Sequence, residues 1–366
     1  MSKLLKLLKN DILLTISFIL AVISAFIITP DKEYLSYINF PVLVLLFCLM
    51  VVVAGFRRAG VFFLLQKALV KYIKTEKMMI FSLCMICFFA SSLITNDVAL
   101  ITFVPFTLVL LKNQKTSSVI FAVVMETISA NLGSLVTPIG NPQNLYIYTH
   151  YNVNIVDFFK TTLPLGIACL LMILACLIFR KNSPLNESAD TNNSTPDKKS
   201  VIVFLLLFIL CILSVLNIVS CYITLVIVFL CILFKDRSLL KEADYILLLT
   251  FVFFFVFAGN IARIPAVYSF ISKMMSGREI LMSALISQAV SNVPAAAMLS
   301  AFTEDFRALL LGTNIGGLGT LIASMASLIS YRFIAKEKNV NKKKFMLTFT
   351  VYNVVMLIVL LLIFHS

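Results

Sequence analysis

The sequence predicts an all-α polytopic membrane protein with about nine full spans, two re-entrant hairpins and two inverted-topology repeats whose central helices are broken. Three observations predict it. Of 366 residues, 61% are hydrophobic and only 13% charged, far from the roughly half apolar and one-quarter charged make-up of soluble chains. The apolar residues come in long blocks, and the basic residues gather in short loops at the ends of those blocks. A polar, glycine-bearing segment also occurs twice, once in each half of the chain.

The blocks fall at residues 11–30, 40–56, 78–111, 117–148, 160–180, 201–217, 219–234, 244–262, 279–303, 306–331 and 344–364. About 18 apolar residues suffice for a helix to cross a hydrocarbon layer about 30 Å thick. The first block follows Met1 to Lys9 and is expected as a retained span. It is too long for a signal peptide, and no small-x-small cleavage site precedes Asp31. Segment 279–303 is too short for two crossings and polar at its middle, so a re-entrant hairpin fits it. The same reasoning applies less forcefully to 78–111. Residues 59–77 and 265–276, each after a span ending Ala-Gly, are amphipathic and suit the membrane interface.

Charge sets the orientation. With the N-terminus inside and both hairpins returning to their own side, only Lys32, Lys160, Arg263, Lys273, Arg278 and Arg307 of the 30 basic residues fall outside. This is the positive-inside bias. It accounts for the net charge of +13 without nucleic acid, and it puts the N-terminus in the cytoplasm and the C-terminus outside.

The duplication sets the domain plan. Asn131-Leu-Gly-Ser-Leu-Val-Thr-Pro-Ile-Gly-Asn141 aligns without gaps on Asn314-Ile-Gly-Gly-Leu-Gly-Thr-Leu-Ile-Ala-Ser324, and Ser91-Ser-Leu-Ile-Thr-Asn96 on Ser287-Gln-Ala-Val-Ser-Asn292. Residues 1–180 form the first repeat, with hairpin 78–111 and broken helix 117–148. Residues 181–200, the one long polar stretch, form a cytoplasmic linker. Residues 201–366 form the second repeat, with an extra span 201–217, hairpin 279–303 and broken helix 306–331. The first hairpin enters from the cytoplasm and the second from outside, which is the mark of inverted repeats.

Glycine weakens a helix and proline removes a donor. Gly133, Pro138, Gly140 and Pro142 in one repeat, and Gly312, Gly316, Gly317 and Gly319 in the other, therefore predict spans that unwind near the middle. Unwound carbonyls suit a cation, and half-helix N-termini suit an anion. Asn131, Ser134, Thr137, Asn141, Gln143, Asn144, Thr313, Asn314 and Thr320 crowd the breaks. Thr95, Asn96 and Asp97 mark one hairpin tip, and Ser291, Asn292 and Val293 the other. Of seventeen acidic residues, only Asp97 and Glu126 fall clearly inside apolar segments. A carboxylate there normally faces a water-filled cavity or a partner and serves ion coupling. Both are therefore coupling candidates, with Na⁺ a possible ligand near Asp97; the alternatives are helix capping for Asp97 and pairing with a basic side chain for Glu126.

Several classes are disfavoured. Eight cysteines scattered through apolar blocks suit buried packing, not a disulfide framework. Cys84 and Cys87 form a C-x-x-C without nearby histidine, and two histidines, His150 and His365, are too few for a zinc site or a His-based triad. An intramembrane aspartyl protease using Asp97 and Glu126 would leave the duplicated breaks unexplained. A passive channel stays open.

Thr95-Asn-Asp-Val-Ala99 with Phe103-Val-Pro105, Gly140-Asn-Pro-Gln-Asn144, Ser291-Asn-Val-Pro294, and Gly312-Thr-Asn-Ile-Gly316 through Ser324 resemble the ion transporter superfamily. The likeness is to its citrate-transporter-like branch, with arsenite permeases and NhaD-type antiporters, and it extends along essentially the whole chain. The resemblance implies binding positions at Thr95, Asn96, Gly133, Thr137, Asn141, Ser291, Asn292, Asn314, Gly316 and Thr320, a homodimer, and an elevator motion. The residues themselves add Asp97 and Asn144. Thr-Asn-Asp and Ser-Asn-Val replace the Ser-Asn-Thr tips of the dicarboxylate branch. The expectation is a secondary transporter of the bacterial inner membrane. It needs no cofactor beyond H⁺ or Na⁺ as coupling ion, and it moves a small anion of oxyanion or carboxylate type. The alternative is a cation/proton antiporter.

Overall fold

The computed structural model describes residues 12–61, 72–180, 183–184, 197–337 and 339–364. The basic start of the chain, the middle of stretch 59–77, most of linker 181–200, and His365 lie outside the described residues. Among the described residues every regular element is helical, and the one β pairing is a bridge between Thr75 and Pro184.

Two long helices open the chain, α1 (Ile12–Ile27) and α2 (Phe40–Arg58). The first unit of helix, break and helix follows: α3 (Glu76–Ile94), α4 (Asn96–Leu110), α5 (Thr116–Ser134) and α6 (Pro142–His150). Then come α7 (Ile155–Ile178), α8 (Lys198–Val215), α9 (Cys221–Lys235) and α10 (Tyr245–Ala262), with α11 (Pro265–Met275) after them. The second unit is α12 (Glu279–Val290), α13 (Asn292–Leu299), α14 (Phe306–Ile315) and α15 (Met325–Lys336), and α16 (Lys342–Ile363) closes the fold. Seven helices, α2, α3, α5, α7, α8, α10 and α16, are long and apolar enough to cross a membrane. The expectation of about nine spans counts α5–α6 and α14–α15 as composite crossings, because an interrupted helix leaves halves of which one or both fall short of span length.

The local reasons for these elements lie at their ends. Thr75, Asn141, Asn154, Asp244, Asp305 and Asn341 accept N–H bonds from the first turns of the helices they precede, which satisfies donors a helix start leaves open. Pro142 and Pro265 open α6 and α11, where a missing N–H costs nothing. The helices sort into two packing groups. In one, α1 lies on α10 and α2 on α8 and α9; in the other, α3, α4 and α5 pack together, as do α12, α13 and α14. The groups meet where α13 touches α10 and α2 touches α6. Helix α5 is 89% buried over its apolar window, against 22% for α16, so α5 is the axis of its group and α16 faces outward.

Helix α7 fixes the sense of the two units. Past its C-terminal end, Arg180 bonds Glu76 at 2.7 Å and Ser118 at 2.7 Å, at the starts of α3 and α5. Near its N-terminal end, Lys160 and Thr161 share a pocket with Gly277, Arg278 and Glu279 at the start of α12 and with Arg307 in α14. Helices α3 and α12 thus begin at opposite ends of α7.

Candidate functional site

Each hairpin turns on a single residue in the same unusual conformation. Thr95 has φ 75° and ψ 150°, and Ser291 has φ 76° and ψ 152°, a region that L residues rarely adopt. The following asparagine then folds back: Asp97 N–H donates to Asn96 Oδ1 at 2.9 Å, and Val293 N–H to Asn292 Oδ1 at 2.9 Å. Asn96 N–H in turn donates to the Gly140 carbonyl at 3.1 Å, so the first tip rests on the first helix break.

The two broken helices are cross-bonded by matching residues. Asn314 Oδ1 accepts from Asn141 Nδ2 at 3.1 Å, and Asn314 Nδ2 donates to Asn144 Oδ1 at 2.7 Å. Asn131, its counterpart in the other half, accepts from Ser324 Oγ at 3.0 Å and donates to Ser327 Oγ at 3.4 Å. Ser324 and Ser327 stand to Asn314 as Asn141 and Asn144 stand to Asn131. Each buried asparagine therefore bonds the far side of the other half's break. Asn131 also accepts from Asn96 Nδ2 at 3.1 Å, which ties in the first tip.

The remaining predicted residues divide by role. Thr137 Oγ1 donates to the Ser92 carbonyl, and Thr320 Oγ1 to the Gln288 carbonyl at 3.1 Å; both threonines brace a break against its hairpin, and Thr320 is exposed. Gly133 and Gly316 are contact points between helices. A Cβ on Gly133 would lie 2.0 Å from the Phe88 carbonyl oxygen, and one on Gly316 would lie 2.8 Å from Ala284 Cα. Glu126 stands apart from the tips. It is fully buried and accepts from Thr107 Oγ1 at 2.6 Å, so among the described residues its partner is a hydroxyl and not a basic side chain.

A cavity of about 400 Å³ leads to the first tip between the two packing groups. Its inner end has Thr95 and Asp97, its walls are apolar residues such as Leu49, Ile101 and Ile329, and its mouth has Arg57, Glu242, Asp244 and Arg332. Arg57 pairs with Glu242, and Arg58 with Asp236 and Glu242. Bonding first from Ser238 and then from Arg58 holds the Asp236 carboxyl below its ordinary range. A second, small void of about 10 Å³ between the tips is lined by Asn96, Asp97, Gln143, Asn292 and Ser324. Gln143 and Ser324 lie in the segments that the sequence singles out but not among the binding positions expected from it, and Ser327 lies just beyond them. For the two serines the duplication itself was a signal, since they align with Asn141 and Asn144. Among the described residues no cluster of three His, Cys, Asp or Glu offers a metal site.

The chain is similar in sequence to known proteins along most of its length. The citrate transporter family matches residues 4–306. An uncharacterized transporter of Methanocaldococcus jannaschii is 34% identical over 336 residues, covering 91% of each chain. Inner membrane protein YbiR of Escherichia coli is 28% identical over 341 residues, 92% of this chain and 89% of that one. A silicon efflux transporter of Oryza sativa is 32% identical over 158 residues, 42% of this chain and 32% of that one. With a match that spans both helix breaks' supporting hairpins and most of the sequence, this multi-pass membrane protein belongs to the citrate transporter family of transporters.

Proposed function

We propose that the protein is an ion-coupled secondary transporter of the bacterial inner membrane, moving a small anion of oxyanion or carboxylate type by alternating access between two inverted repeats. One observation carries this reading: both hairpin tips and both helix breaks converge on a single buried polar centre, reached from one end by the 400 Å³ cavity. Broken backbone is tolerated at membrane depth only where protein buries it or water reaches it, and paired half-helices at mid-depth serve binding. The basic mouth of the cavity, with Arg57 and Arg332, lies on the side that the charge bias assigns to the cytoplasm, so the state is inward-open in this reading. YbiR bears an inner-membrane name, and the Oryza relative is named for silicon efflux; both accord with a small-solute transporter.

A second reading, a Na⁺/H⁺ antiporter on the same scaffold, is favoured by one feature. The charged residue at the inner end of the cavity is a carboxylate, Asp97, and the arginines sit at the mouth. Purified protein in liposomes separates the two. Uptake of a panel of oxyanions and carboxylates under imposed Na⁺ and pH gradients is expected to show saturable, gradient-driven accumulation of one class. Cation-dependent proton movement with no anion uptake would establish the antiporter instead. Asp97→Asn is expected to abolish gradient-driven accumulation in a folded protein. Unchanged accumulation in that variant would refute a coupling role for Asp97.

A further inference from the structure

Two carboxylates are buried among the described residues, Glu76 and Glu126, and the fold provides for them differently. Glu76 accepts from Arg180 on one oxygen and from Ser183 on the other, so its charge has a partner. Glu126, near the middle of α5, has none. Its Oε1 accepts from Thr107 Oγ1 at 2.6 Å, and its Oε2 has no hydrogen-bond partner.

The helices packed around Glu126 bring no countercharge. On α3 the titratable neighbours within reach of its charge are the thiols of Cys84 and Cys87, both fully buried. On α4 the neighbour is Thr107. Helix α15 meets α5 at the next residue through the Thr127–Ser330 hydroxyl pair at 2.7 Å. Tyr352 of α16 and Arg180 past α7 reach α5 at Phe121, more than a turn away. An ionised carboxylate with neither water nor a cation costs far more in such a place than a neutral acid with one unpaired hydroxyl. Among the described residues no group of three His, Cys, Asp or Glu offers a metal ion a seat there. The occupant that neutralises Glu126 is a proton.

Its position ties it to the moving parts. Glu126 lies five residues before Asn131, roughly 8 Å along the helix, and Asn131 bonds both the first tip and the second break. Helix α4 lines the cavity with Asp97, Val98 and Ile101 and also holds Glu126 through Thr107. Between these two parts Pro105 removes the N–H that would bond the Ile101 carbonyl, and helices bend at such points.

We propose that Glu126 is a proton-binding site separate from the hairpin tips, loaded in the conformation described and emptied into the water of the cavity when α4 shifts at Pro105. The proton passes from the carboxyl oxygen to water, and the carboxylate stays hydrated until it is reloaded. The inference deepens the transporter reading and rests on it, since H⁺ is then a coupling ion.

The test follows the proton in the purified full chain. Infrared spectra near neutral pH are expected to show the C=O stretch of a protonated carboxylic acid, present in the wild type and in Asp97→Asn and lost in Glu126→Gln. A proton held by the folded chain and released on unfolding makes stability fall as pH rises. The unfolding constant of the wild type is therefore expected to grow relative to that of Glu126→Gln by up to about tenfold per pH unit between about pH 5 and 7. Should the glutamine variant not fold, Thr107→Val decides instead, because loss of its hydrogen bond is expected to move the stretch to higher frequency. Absence of the band in the wild type, or a band that neither variant alters, would overturn the proposal. Liposomes with an imposed pH gradient, and phosphate, silicate and citrate as probes, read the coupling. Glu126→Gln is expected to exchange the accumulated probe across the membrane without concentrating it. Concentration equal to that of the wild type would make Glu126 a structural acid and refute its part in coupling. Movement of none of the three probes by the wild type would strike the transport reading, and the proton site would then stand or fall on the infrared band.

Discussion

Thr95 and Ser291 hold a backbone conformation that glycine adopts far more easily, at a cost of about 1–3 kcal/mol each. For Thr95 the β-branched side chain adds to the crowding. A hydroxyl residue kept at such a position points to a use for the hydroxyl, and Thr95 is partly exposed to the cavity. Thr95→Gly is expected to raise stability by about 1 kcal/mol, strain relief exceeding the glycine entropy of about 0.5–1 kcal/mol, while transport falls. Melting of the purified variant beside liposome uptake checks both halves. A variant that is more stable and fully active would show the hydroxyl to be dispensable. Neither the strain nor the matching φ values can be read from Thr-Asn and Ser-Asn, because a side-chain sequence does not encode that a tip must reverse within one residue.

Between elements, the glycines that the sequence marks as helix breakers act first as contact points. Gly133 lets α5 touch α3, and Gly316 lets α14 touch α12 at the equivalent place. The obstacle is backbone at both places, but the overlap is deeper at Gly133, 2.0 Å from the Phe88 oxygen against 2.8 Å from the Ala284 Cα at Gly316. Gly133→Ala is therefore expected to destabilise by about 3 kcal/mol or more, and Gly316→Ala by about 1–3 kcal/mol. Denaturation in matched detergent measures the order, and equal losses would contradict it. The helix arms also differ. Helix α3 has 19 residues and α12 has 12, roughly 28 against 18 Å at about 1.5 Å per residue. The tips therefore lie at unequal distances from the two ends of the bundle. The lengths of segments 78–111 and 279–303 already carry this asymmetry, which is why the second reads as a hairpin more readily than the first.

At the scale of the molecule, the halves are joined by the Asn131–Ser324 and Asn314–Asn141 bonds and by clasps at the ends of the helices. One clasp pairs Arg263, after α10, with Asp31 at 2.7 Å and with Tyr37 at 3.0 Å, in the α1–α2 connection. Hydrogen bonding from Arg263 lowers the Asp31 carboxyl below its ordinary value of 3.8. A depressed value in the folded state means that the contribution is present above the unfolded value and lost only as pH falls through the folded one. The clasp is thus constant between about pH 5 and 8. Asp31→Asn is expected to leave the shape of the uptake–pH profile unchanged over that range. A shifted profile would show that the clasp takes part in coupling.

The residue sequence alone determines that this is an all-α membrane protein with duplicated breaks, because span length, charge bias and the clustering of glycine and proline are local properties that burial and helix geometry translate directly. It also brings out Asp97, since an acid within an apolar segment is conspicuous. Which polar residues end up committed to the protein and which are left over is a different kind of fact. Asn131, Asn141, Asn144 and Asn314 look alike in the sequence as ligands, and Gln143 looks no different. Folding pairs the four asparagines with partners up to half a chain away, leaves the buried Gln143 Oε1 without one and places Asp97 on the cavity. Hydrogen-bond satisfaction in a buried centre depends on which atoms meet, and only the packing of one half against the other decides that.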